Sequence, residues 1–277
     1  MKKIISCLML LLLVSCGKAE EVLPQAEVLP TETPTPSPTP APTPTPMPAK
    51  LKLTVIRPDT GEAPEDAGFV ITDEGGETVF SESGDTAEAE LTAGGHYRLT
   101  VSGADCHKRT YELSPESGEN ELRCILMPVS VGNDAYVLLE WDGEQDVDLC
   151  AFNPRKQEYV FFARPVDFEG DYLVADNDAS KGYELLCLRN VLAERAKTVF
   201  VVDTEGAKSG GASYMARDGV RLLASDNLGM VYSCVMDEKE CAAVWEAFYF
   251  FGGEAINSQE KYSCDMSPYG WLTGAEK

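Results

Sequence analysis

Histidine is almost missing from this chain: His96 and His107 are the two it has in 277 residues. No His-Glu-x-x-His zinc helix can be written from them, and no Gly-x-Ser-x-Gly elbow, P-loop or Gly-x-Gly-x-x-Gly fingerprint occurs. No Cys-x-x-Cys knuckle is present either, which argues against a structural zinc site. Positive charge is scarce. Lys+Arg number 23 against 46 Asp+Glu, a formal net charge of −23. Nucleic acid and anionic lipid surfaces need a basic footprint and are therefore poor partners. The most apolar stretch, from Ile4 to Val14, is broken by Ser6 and Cys7 and is shorter than the roughly 20 residues a spanning helix requires.

That stretch reads instead as part of a leader. Lys2 and Lys3 supply a basic start, the apolar run follows, and Ser15-Cys16-Gly17 closes it with small residues. Leu13-Val14-Ser15-Cys16 resembles the lipobox of bacterial lipoproteins. The resemblance implies that residues 1–15 are removed, that Cys16 is acylated, and that the chain works on the extracytoplasmic face of the cell membrane. Two or more acyl chains on one residue anchor a protein stably where one does not. Residues 16–50 then form the lipidated N-terminus and a Pro/Thr-rich linker. Between Pro34 and Pro48 Thr-Pro nearly alternates. Such a tract cannot bury apolar surface, and in a polyproline-like form each residue adds about 3.1 Å.

Residues 51–128 read as the first folded unit. Leu51, Leu53 and Val55 alternate with polar residues, and Arg57-Pro58-Asp59-Thr60-Gly61 makes a turn. Short runs at 69–72, 78–80, 87–91, 97–101, 109–113 and 120–126 follow, separated by Gly, Pro, Asp, Ser and Glu clusters. Seven short strands of period 2 predict a β-sandwich. Thr54 to Gly61, with Leu91-Thr92-Ala93-Gly94-Gly95-His96-Tyr97-Arg98-Leu99-Thr100-Val101, is similar to carboxypeptidase regulatory-like and Cna-B-type modules. That motif is made of turn glycines and core alternation, so it implies a prealbumin-like or Ig-like fold and no particular activity.

Residues 135–277 read as a second antiparallel sandwich. β-rich runs recur from Tyr136 to Phe251, and 238–251 is ambiguous between helix and strand. The dense row Val244, Trp245, Phe248, Tyr249, Phe250 and Phe251 favours strand. Leu139-Glu140-Trp141-Asp142, Asp146-Val147-Asp148-Leu149, Leu173 to Asp178, Gly182-Tyr183-Glu184 and Val244 to Phe248 together resemble the YfaP-type group of bacterial surface domains. Two departures stand out. Leu149-Cys150 stands where that group has a histidine, and Ala175 replaces an acid. The fold class expected for the whole chain is all-β: two consecutive sandwiches on a disordered stalk.

Asp146 and Asp148 lie two apart and would share a face of one strand. Asp176 and Asp178 form a second pair at a turn. If the segments meet, these four carboxylates converge as hard oxygen ligands for Ca2+. An EF-hand is excluded, because counting from Asp176 the glycine position holds Lys181 and the final ligand position Cys187. Cys234 and Cys241 are disulfide candidates across a turn at Asp237-Glu238, and Cys106 with Cys124 is a further possibility. The reading is a non-catalytic binding, adhesion or display module, Ca2+-stabilised, with a surface glycan or protein as ligand. An extracytoplasmic hydrolase and a purely structural envelope spacer are the alternatives. The anchor is directly testable: Cys16→Ser should abolish labelled-palmitate incorporation and release the protein from the membrane fraction. Label retained by that variant would remove the lipoprotein reading.

Overall fold

The computed structural model describes residues 47–144, 146–167, 169–176, 181–192, 196–203, 215, 219–236 and 243–263. Cys16 and most of the Pro/Thr tract lie outside that set. Among the described residues every regular element is a strand. In the first half, period-2 alternation decides the packing. β1 (Pro48–Ile56) buries Ala49, Leu51, Leu53 and Val55 and leaves Lys50 and Lys52 exposed. Then come β2 (Gly68–Asp73), β3 (Thr78–Ser83), β4 (Thr86–Thr92), β5 (Tyr97–Ser102), β6 (Arg109–Leu113) and β7 (Gly118–Ile125). These are the seven strands expected. They form two sheets, β4-β1-β7 and β3-β2-β5-β6, around Leu53, Phe69, Ile71, Leu99 and Leu126. One pairing departs from the antiparallel expectation: β7 runs parallel to β1, from Ala49↔Gly118 to Ile56↔Ile125. Parallel neighbours need a long crossover, and the chain between them supplies it by building the opposing sheet.

The second half holds β8 (Ala135–Glu140), β9 (Asp148–Asn153), β10 (Glu158–Val160), β11 (Tyr172–Ala175) and β12 (Tyr183–Leu188). β13 (Lys197–Val202), β14 (Arg221–Ser225), β15 (Met230–Val235), β16 (Val244–Phe251) and β17 (Glu254–Ser263) complete it. Sheets β10-β9-β13-β16-β17 and β11-β12-β8-β14-β15 enclose a core that includes Trp141, Leu149, Leu186, Val201, Trp245 and Phe248. The aromatic row at 244–251 is a strand. β17 was not anticipated, because Glu-Ala-Ile-Asn-Ser-Gln-Glu-Lys-Tyr-Ser carries little apolar signal. It is an edge strand that pairs with β16 alone. The connection is Gly252-Gly253, with φ of 61° and 86°. Positive φ at both central positions is what a tight type I′ hairpin demands.

The two sandwiches meet on the outer face of β11-β12-β8-β14-β15. Leu139, Leu186 and Leu222 point into the second core, while Leu138, Leu185 and Leu223 point the other way. There they pack with Ile125 and Met127 of the first half. Beside this apolar contact stands Glu140, 3% exposed. Arg109 donates to both of its oxygens, at 2.8 and 2.5 Å, and Arg221 Nε donates at 2.9 Å. Burial alone would raise the Glu140 carboxyl, but Arg109 and Arg221 outweigh it and hold it below the usual carboxylate range. Arg109 also donates to the Ile125 carbonyl at 3.0 Å, and the Tyr111 hydroxyl accepts the Ile125 N–H at 2.9 Å. These two β6 side chains serve the open edge of β7 as a neighbouring strand would. His107 Nε2 lies 2.7 Å from the Asp226 carbonyl, a further polar link across the junction.

Glu140→Ala removes the counter-charge of a guanidinium that stays buried. Loss of one partner of such a pair costs about 3–5 kcal/mol, so urea unfolding should show a deficit of that order. The lowered carboxyl makes this a contribution present above the carboxylate range and lost as pH falls through it. Limited proteolysis should cut first between Glu20 and Lys50. The connection at 129–134, where Val131 is 83% exposed, should be cut slowly in the wild type and quickly in Glu140→Ala.

Candidate functional site

Asp148 and Asp176, one from each predicted pair, come together around an acid that spacing did not single out. Glu184 shares the parity of Leu186 and Leu188 on β12, so it projects into the second core and is 1% exposed. Its Oε2 accepts the Leu149 N–H at 2.5 Å. β10 pairs only with Ala151 to Asn153, so it does not reach Leu149, and a side chain from the opposite sheet serves that amide. Burial first, then a hydrogen bond with the Asp176 side chain and the charges of Asp148 and Asp176, push the Glu184 carboxyl well above its ordinary range. Cys150 beside it is also pushed up, by burial and then by Asp148, Glu184 and Asp176.

Asp148 opens β9 and is 6% exposed, whereas Asp146 precedes the strand, so the pair does not sit on one regular strand face. Asp178 lies outside the described residues. Among the described residues no group of three or more His, Cys, Asp or Glu is placed to hold a metal ion. Burial and the charges of Asp148 and Asp176 favour the neutral form of Glu184. Its sequence signal is a lone acid in the otherwise apolar run Tyr-Glu-Leu-Leu-Cys-Leu.

Cys234 lies on β15, and its proposed partner Cys241 falls outside the described residues. Cys106 and Cys124 are free thiols, so the bridge considered between them is not made. Burial pushes Cys106 up to about 11 and Cys124 to about 12, which keeps both as thiols at neutral pH.

The second feature is a cleft of about 460 Å³ at the junction of the sandwiches. Lys52 of β1 and Arg123 of β7 line one wall, and Lys181, Arg221, Glu140 and Trp141 the other. Alternation places the first two there, since β1 and β7 turn their even and odd outward positions away from the first core. The Arg123 guanidinium donates to the Lys181 carbonyl and lies 5.4 Å from the Tyr183 ring centroid, so it is held in place from two sides. Gly182 is required for closeness: a Cβ there would meet the Trp141 ring at 2.1 Å. Four cations and three acids line the cleft, and the most buried acid, Glu140, is already neutralised by Arg109 and Arg221. In a chain of net charge −23 this lining holds one more cation than acids, with Lys52 paired to Glu121 and Arg221 to Glu140 and Asp142. Volumes of this size accept small ligands.

No family model matches the chain, and neither does the sequence of any curated protein. Among solved structures it is similar to SAV2460, a protein of unknown function, at 16% identity and a TM-score of 0.38, over 52% of this chain and 98% of that one. The Bacillus anthracis TIE protein aligns at 12% identity and a TM-score of 0.26, over 55% of this chain and 28% of its own. A Bacteroides uniformis protein provisionally classed as carbohydrate-binding aligns at 11% and 0.23, over 68% and 98%. Likenesses this remote have no bearing on what this chain binds.

The raised Glu184 carboxyl makes a signed prediction. A carboxyl raised in the folded state contributes stability that is full below its ordinary pKa and is lost as pH rises through the raised value. The leaderless chain should thus lose melting temperature from this group as pH rises, and Glu184→Gln should flatten that dependence. Calcium is the control arm. A rise in melting temperature specific to Ca2+ over Mg2+, abolished by Asp148→Ala, would require an ion at this corner instead.

Proposed function

We propose that this chain is a lipid-anchored, non-catalytic binding module of the extracytoplasmic face of a bacterial membrane, presenting the junction cleft to a surface glycan. The observation that carries the reading is that cleft: Lys52, Arg123, Lys181 and Arg221 gather in it although the chain is strongly acidic. Its size favours a sugar over a protein. A stable protein partner would bury about 800 Å² on each side and would not need a cleft. The leader and lipobox at Cys16 and the Pro/Thr tract supply the anchor and the reach. The resemblance of residues 51–128 to carboxypeptidase regulatory-like modules and of residues 135–277 to YfaP-type surface domains agrees with display outside the cell.

The hydrolase alternative is weaker on the acids themselves. A general acid needs a raised carboxyl that can touch substrate. Glu140 faces the cleft but is held low by Arg109 and Arg221, while Glu184 is raised but buried under the second core. A spacer would need no such cleft.

A glycan array probed with the leaderless chain should light up sugars, with retention falling as salt rises, because ionic contacts are screened over about 10 Å at 0.1 M and about 3 Å at 1 M. Lys52→Ala and Arg123→Ala should each weaken binding by about tenfold, the size of one lost charged hydrogen bond. An array silent to every glycan, or binding indifferent to both substitutions, would overturn the reading.

A further inference from the structure

Lys197 opens β13 and Asp171 immediately precedes β11, so their side chains meet from opposite sheets of the second sandwich. They form the most buried ion pair among the described residues, each side chain 2% exposed. Nζ lies 2.5 Å from Asp171 Oδ1. Arg189, the residue after β12, frames the pair with its main chain. Its N–H donates to the same Oδ1 at 2.7 Å, and its carbonyl accepts from Nζ at 2.9 Å. Two full charges in so dry a place each forfeit much of their hydration. Burial is indeed the dominant influence on Asp171, raising its carboxyl against the opposing charge of Lys197, with Asp167 adding to the rise.

We propose that Lys197 Nζ and Asp171 Cγ condense to an amide, a covalent staple between the two sheets of the second sandwich. Nζ first passes a proton to the Asp171 carboxylate, and its freed lone pair then attacks Cγ. The Cγ–Nζ bond forms, one Cγ–O bond breaks, and the departing oxygen leaves as water with the carboxyl proton and one amine proton. Nothing is oxidised or reduced, and no co-reactant is consumed. The Arg189 N–H stands where negative charge collects on Oδ1 during attack, the part an oxyanion donor plays. The Arg189 carbonyl accepts from Nζ and keeps the amine beside the carboxyl, so the reaction is intramolecular. Asp167 Oδ1 accepts the Asp171 N–H at 2.9 Å and so fixes the main chain that carries the reacting carboxyl. The staple would tie the entry to β11, an edge strand whose residues are all only half-buried, to β13 inside the opposite sheet.

The test is a peptide map of the full-length protein, purified from the membrane fraction, incubated folded at neutral pH, then denatured and digested with trypsin. The expected product is a branched peptide joining the segments that carry Asp171 and Lys197, lighter than their sum by one water, with Lys197 refractory to cleavage. Asp171→Ala should yield the linear Lys197 peptides alone. Because the wild-type map decides the matter, a variant that folds poorly does not blunt the test. Recovery of both linear peptides at full yield from the wild type, with Lys197 cleaved, overturns the proposal and leaves an ordinary buried ion pair.

Discussion

Glu140 meets Arg109 and Arg221 where the sheet β11-β12-β8-β14-β15 turns its outer face to the first sandwich, and that face can be buried only if this carboxylate is compensated. The central strands of the sheet are apolar on both sides. An exposed sheet would show polar residues at alternate positions, but β12 buries every one of its six and β8 all but Tyr136. The inner set fills the second core, and the outer set needs Ile125 and Met127. Much else follows from that demand. Arg109 must come from β6 and reach past Ile125, Tyr111 must serve the exposed edge of β7, and the connection 129–134 must be short enough to keep the two sandwiches in register.

The strand pattern of the first half could be read almost residue by residue, because one face of each strand meets water and the period of 2 is clean. The second half was harder. Strands covered on both faces lose that alternation, yet their β-branched and aromatic content still marked β8 to β16. β17 escaped because an edge strand made of Glu, Ser, Gln and Lys is stabilised by main-chain pairing and a Gly-Gly turn, neither of which writes an apolar signature. The parallel partnership of β1 and β7 is a property of topology and has no local trace.

Chemistry was readable in part. The Asp148 and Asp176 segments converge, but the acid between them, Glu184, is identified only by its inward parity once the sheet is known. Lys197 and Asp171 are 26 residues apart, and Arg109 and Glu140 are 31 apart on different sandwiches. No spacing rule connects such pairs. A lone charge in an apolar strand, as at Glu140, Glu184 and Lys197, is the signal they share, and it says that a partner exists without saying which.

The place of β1 has a mechanical consequence. The Pro/Thr tract runs into the fold at Pro48, and β1 is the central strand of its sheet, paired with β4 from Pro48 to Thr54 and with β7 from Ala49 to Ile56. Lys52 of β1 and Arg123 of the parallel β7 also line the cleft. A pull between the chain N-terminal to Pro48 and the cleft would run along these strands and load their hydrogen bonds in shear, many at once, instead of peeling them one at a time. A weak grip at the cleft would give way long before the sheet did.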